Sequence, residues 1–246
     1  YPYRFIRVNY VYFATLLITL LVFLIAALSK PCIPWGDICT LPSDGYIQTY
    51  PDIQAMIDNL GIRSYIPSTI GYSIYIFSSG ANYIANFINT TIQLIYRSFI
   101  WTNDGKAYAS IIGLIYLLYS GPAMIFYMTH RCTGKAFDKK DARLIVIGLA
   151  YSLSAYMIGY YAFNNFKYGL YVPIVLLGLE RLVYKKKPLL YILTLSLYMV
   201  RNFYEAFIFC EFIALFFLTL DFEGIKDFIK KTVNFAISSK IGRAHV

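Results

Sequence analysis

The run FATLLITLLVFLIAAL, inside Val8–Leu28, carries no charge. About 20 mostly apolar residues are enough to cross the hydrocarbon core of a bilayer. This run therefore either crosses a membrane or leads secretion. A secretory leader needs a small-residue cleavage site, and Lys30-Pro31-Cys32 is a poor one. The run reads as a retained span.

The rest of the chain agrees with that reading. Hydrophobic residues make up 59% of it and charged residues 14%, against about 45–50% and roughly 25% in a soluble globular domain. A water-soluble fold of this size lacks the charge to coat itself. The 25 tyrosines suit the level where lipid meets water. Soluble enzyme, disordered tail and nucleic-acid-binding domain are excluded, and no nucleic acid partner is expected. The net charge of +9 is that of basic cytoplasmic loops. The expected fold class is all-α, a polytopic transmembrane helix bundle.

Further spans are expected near 107–129, 143–163, 168–182, 188–203 and 205–221, the last two sharing one apolar stretch that is too long for a single helix. Arg4 and Arg7 precede the first span. Arg131, Lys135, Lys139, Lys140 and Arg143 lie between the second and third. Arg181 and Lys185–Lys187 follow the fourth, and Lys226, Lys230, Lys231 and Lys240 follow the last. These outnumber the bases on the other side, so the positive-inside rule puts them, and the N-terminus, in the cytoplasm. Residues 29–106 then form one long outer loop. Its apolar part, Ile70–Ile100, carries Gly80, Asn82, Asn86, Asn89 and Gln93, which suits an interfacial or re-entrant segment better than lipid on all sides. A full crossing there, which would flip every later loop, is the alternative. Residues 1–240 read as one domain. The chain opens on Tyr-Pro-Tyr, and Ile241–Val246 reads as a translated sequencing adapter; a fragment truncated at both ends is expected, with 241–246 left out of the fold.

The outer loop holds Asp37, Asp44, Asp52, Asp58 and Asp104, an acidic patch on a basic protein. Glu205 and Glu211 lie in the last hairpin. Arg201 and Glu205 read as an i, i+4 pair, set either at membrane depth or at helix ends. Glu211 reads as an interhelical hydrogen bond within the bundle. The remaining acids, Glu180 among them, read as solvated cytoplasmic loop charges. Histidine is almost absent, so no Ser/His/Asp or Cys/His catalyst can be assembled outside, and no His/Cys cluster has zinc-ligand spacing. An external catalyst must be a carboxylate, which can deprotonate a hydroxyl or hold a divalent cation on a phosphate. Cys32 and Cys39 in the same loop are either a disulfide or two free thiols. Cys132 and Cys210 read as packing residues.

From Ala150 onward, the segments PIVLLGLERLVYKKKPLLYI (Pro173–Ile192) and RNFYEAFIFCEF (Arg201–Phe212) resemble the bacterial YfhO family of polytopic membrane proteins. SDGYIQTYP (Ser43–Pro51) is similar to the stretch after the first span in that family. The resemblance covers most of residues 9–222 and departs between Ser78 and Phe99.

That resemblance implies the bundle of the GT-C glycosyltransferases, with a long first outer loop bearing a catalytic acid. It implies a polyprenyl-phosphate-linked sugar as donor and an envelope polymer such as teichoic acid as acceptor. The family's loop acid falls on Asp44. Asp44 would take the proton of the acceptor hydroxyl. Arg201, with Lys167 or Arg63, would neutralise the lipid phosphate. Tyr50, like Tyr46 and Tyr65, could stack on a sugar face, and Asp52 and Asn202 complete the substrate-binding set. The plainer reading of Asp44 is a turn residue in Pro-Ser-Asp-Gly. No cofactor is fixed by the sequence, and a divalent cation stays open. The rival classes are a transporter or flippase for lipid-linked sugars, with polar groups along a midplane path, and a non-catalytic assembly subunit.

Overall fold

The computed structural model describes residues 8–30, 105–159, 169–201 and 203–244. Among them every regular element is helical: α1 Tyr10–Ser29, α2 Gly105–His130, α3 Arg143–Ser152, α4 Ala155–Gly159, α5 Tyr171–Lys185, α6 Leu189–Arg201, α7 Phe203–Leu218 and α8 Ile225–Ala244. The chain divides into two compact units. One takes residues 1–21, 116–159 and 168–246; the other takes 22–115 and 160–167.

At 1.5 Å per residue, the 20 residues of α1 reach about 30 Å, the hydrocarbon thickness of a bilayer. Among the described residues α1 is the one helix both long and apolar enough to cross, and only 22% of its most apolar stretch is buried. Its polarity is inverted relative to a soluble helix. Thr15 and Thr19 are fully buried, whereas Leu17, Leu21, Ile25 and Leu28 are exposed. The Thr15 hydroxyl donates to the Val11 carbonyl (2.8 Å), and the Thr19 and Ser152 hydroxyls lie 3.1 Å apart. Polar groups with partners face inward and unpartnered hydrocarbon faces out, the arrangement lipid selects.

In the first unit, α1 meets α2 and α3 where side chains are smallest. A β-carbon on Gly121 would lie 2.7 Å from Thr15 Cγ2 and 2.9 Å from the Gly148 carbonyl oxygen. Val11, Ile125 and Leu144 are wholly buried around this crossing. Close backbone approach through glycine substitutes for the hydrophobic drive that lipid cannot supply. The same device joins α5 to α6: a β-carbon on Gly178 would sit 2.7 Å from Tyr191 Cα. The two helices are linked by a tight turn in which Lys186 is left-handed (φ 53°) and the Lys187 N–H returns to the Arg181 carbonyl at 3.1 Å. Pro188 follows, where a helix cannot continue unbroken.

The third expected span breaks early. α3 ends at Ser152, and α4 begins at Ala155. Ser152 Oγ donates back to the Leu149 carbonyl, and the Met157 N–H bonds Ser154 Oγ at 3.4 Å. Serine hydroxyls competing for backbone groups account for the turn, which apolar periodicity alone runs through.

α6, α7 and α8 close an aromatic core. The Tyr198 and Phe209 rings are 4.5 Å apart. Phe217 stacks on Phe235 at 4.7 Å and 9°. Phe222 meets Phe228 edge-on at 5.0 Å and 88°. Lys226, Lys230, Lys231 and Lys240, which follow the last expected span, lie on a helix, α8.

Candidate functional site

Asp44, Tyr50, Asp52, Arg63, Lys167 and Asn202 lie outside the described residues, as do Cys32 and Cys39. Arg201 is the last residue of α6. The chain reverses between α6 and α7, since Tyr191 and Met199 line the same cavity as Cys210 and Ile213. Arg201 and Glu205 therefore sit on opposite arms of a hairpin, not one helical turn apart on one helix. Glu211 is also corrected: its side chain is on the exposed face of α7 beside Phe212 and Leu215, turned away from the bundle. Cys132 and Cys210 form no disulfide among the described residues. Among the described residues no three His, Cys, Asp or Glu side chains gather to hold a metal ion.

The most constrained polar site is one the sequence reading passed over. Glu180 is not a solvated loop charge; it is completely buried. Helix α5 brings it inward because it shares a face with Val183, Leu176 and Leu177, all buried. Its carboxylate collects four donors. The Tyr127 hydroxyl donates to Oε1 at 2.8 Å, and the Thr133 hydroxyl donates to the same oxygen at 2.6 Å. The backbone N–H groups of Cys132 (2.5 Å) and Thr133 (3.4 Å) donate to Oε2. Arg131 places its guanidinium 5.9 Å over the Tyr127 ring and donates to Thr133 Oγ1 at 3.0 Å. Gly134 then turns the chain with φ +60°, a value that suits glycine.

A buried carboxylate is tolerated when its lone pairs are filled. Here the donors come from the last turns of α2 and from the loop that follows. Glu180 thus fastens α2, the Arg131–Gly134 loop and α5 together. With both oxygens occupied by fixed protein donors, it is built to hold position. Its signal was available in the sequence: a single acid inside GLERLV, within an expected span, where charges are costly and retained for a reason.

The same loop is pinned at its far end. The Arg143 N–H and Nε–H both donate to Asp141 Oδ1 at 3.0 Å, and Nη2 donates to Oδ2 at 2.6 Å. These bonds hold the Asp141 carboxyl below its ordinary range. Tyr10 ties the start of α1 to the loop through its hydroxyl, which donates to the Lys140 carbonyl at 2.7 Å.

All-helical among the described residues, with an outward-apolar α1 and inward hydroxyls, the chain has the physical character of a membrane protein. A family model described as bacterial membrane protein YfhO matches residues 14–244. The chain belongs to the YfhO family. The match spans both the α1–α3 crossing and the Glu180 clamp. No curated protein and no solved structure matches the chain.

Proposed function

We propose that this YfhO-family chain is a multi-pass, glycosyltransferase-like protein of the bacterial cytoplasmic membrane, with its N-terminus in the cytoplasm. It moves a sugar from a polyprenyl-phosphate donor to an envelope polymer of the teichoic-acid kind on the extracytoplasmic face. The observation that supports this best is the family match across residues 14–244. It includes most of the apolar helix α1 and the acid-bearing stretch directly after it.

In this reading the lipid phosphate leaves already charged and needs little acid assistance. The acceptor hydroxyl loses its proton to Asp44 as it attacks the anomeric carbon. Arg201, Arg63 and Lys167 stabilise the departing phosphate, while Tyr50, Asp52 and Asn202 orient the sugar. Glu180, with its lone pairs filled by the protein, serves architecture.

The test uses membranes carrying the protein and a radiolabelled polyprenyl-phosphate sugar. General-base catalysis contributes about 10²–10⁴-fold, so Asp44→Asn is expected to lower transfer to polymer by at least the smaller factor while membrane insertion is normal. Full transfer by a normally inserted Asp44→Asn protein refutes the assignment. Crossing of the labelled lipid without transfer identifies a flippase instead.

A further inference from the structure

Helix α8 has two unlike faces. The inner one packs into the bundle: Phe228 and Phe235 join the core, Ser238 is buried, and Ser239 Oγ lies 2.9 Å from the Tyr191 hydroxyl. Lys231 turns inward too, 2.7 Å from Asp227 and 5.3 Å from the centre of the Tyr184 ring. The outer face carries Ile225 (79% exposed), Ile229 (55%), Val233 (50%) and Ile237 (53%). Between them stand Lys226, Lys230 and Lys240, all exposed. The positions 225, 226, 229, 230, 233, 237 and 240 form one continuous stripe at helical spacing.

That stripe fits neither water nor hydrocarbon. Four large aliphatic side chains, each at least half exposed and arranged in a row, are an interaction surface when the surroundings are aqueous. Three lysines on one face are expensive at the depth where the outer face of α1 lies, a face with no charge on it. The boundary between headgroups and acyl chains accepts both, with lysine stems lying along the apolar surface and their ammonium groups reaching outward. The sign of the charge selects the lipid. Asp227, the acid on this helix, is engaged by Lys231, and Lys226, Lys230 and Lys240 make no ion pair among the described residues.

We propose that the outer face of α8 docks on an anionic leaflet, with the Ile225–Ile229–Val233–Ile237 ridge at the headgroup–acyl boundary and Lys226, Lys230 and Lys240 on lipid phosphates. The occupant is an anionic phospholipid surface, in keeping with the membrane setting of the family. The proposal does not depend on Asp44 or on sugar transfer.

The test places a nitroxide at Ile229→Cys or Val233→Cys in the full chain, with Cys32, Cys39, Cys132 and Cys210 changed to Ser. Leu17→Cys marks hydrocarbon, and Lys139→Cys on the exposed loop marks water. The proteins are reconstituted one per nanodisc, in phosphatidylcholine alone or mixed with phosphatidylglycerol. Relative accessibility to oxygen and to a nickel chelate reads depth. In the anionic discs, labels at 229 and 233 are expected between the two references, and in the neutral discs closer to water. Each lysine neutralised should raise the phosphatidylglycerol needed about fivefold, so K226Q/K230Q/K240Q abolishes the lipid-dependent shift. Three results overturn the proposal: labels as wet as Lys139 in anionic discs, depths equal in the two lipids and unmoved by the triple variant, or protection that appears only when two chains share a disc.

Discussion

Replacing Glu180 tests the reasoning about its burial most directly. Glu180→Ala removes the acceptor from the Tyr127 hydroxyl, the Thr133 hydroxyl and two backbone N–H groups at once. Each donor left buried without a partner costs about 1–3 kcal/mol. The weaker Thr133 N–H contact, and the partial exposure of the loop, keep the total below the sum of four such losses. Breaking one side of a buried charged network typically costs about 3–5 kcal/mol, and that range is expected here. For a chain of this size about 2–4 °C of melting temperature is lost per kcal/mol, which gives a drop of about 6–20 °C. Glu180→Gln keeps the shape and one acceptor oxygen but aims an NH2 at groups that are themselves donors, so about half that loss is expected. A thiol-reactive dye provides the assay, because Cys132 sits in the clamped loop: its labelling at fixed temperature should rise in both variants, ahead of Cys210 on α7. A Glu180→Ala protein that melts within about 2 °C of the parent, roughly 1 kcal/mol, with Cys132 no more reactive, would show that the carboxylate fastens nothing.

Gly178→Ala is expected to destabilise by about 1–3 kcal/mol, because its new methyl would meet the backbone of Tyr191 at 2.7 and 2.8 Å and push α6 off α5; a thermal melt unchanged from the parent would contradict the close approach. The Asp141 carboxyl is held down chiefly by the Arg143 side chain, from an ordinary value of 3.8. A depressed acid stabilises the folded state above its unfolded pKa and loses that contribution as pH falls through the folded one. The parent should therefore lose stability relative to Asp141→Asn only below about pH 4, and parallel melting curves for the two from neutral pH down to pH 3 would argue against it.

The all-helical class was legible because lipid imposes it: the uncharged run of α1 can satisfy its backbone only as a helix. The turn before α6 was equally readable in Lys-Lys-Lys-Pro. What escaped depended on geometry that composition does not encode. Glu180 is one residue from Arg181 and close to three lysines, so by neighbourhood it belongs to a charged loop; only the angular position on α5 turns it inward among leucines. The α3–α4 break hangs on hydroxyls returning to nearby backbone groups, an option serine has and does not always take. The lysines of α8 look like a soluble tail until the helix aligns Ile225, Ile229, Val233 and Ile237 between them. For the candidate catalytic set, the residue types could be argued from the chemistry an outer loop allows, but which of several aspartates acts came from the family resemblance alone.

The inverted dressing of α1 has a consequence for every number measured on this molecule. With threonines tucked in and leucines turned out, the solvent is as much a component of the folded state as any side chain. A melting point obtained in one detergent describes a partnership, and changing the amphiphile changes one of the partners. Comparisons between variants carry meaning only when that other half is kept the same.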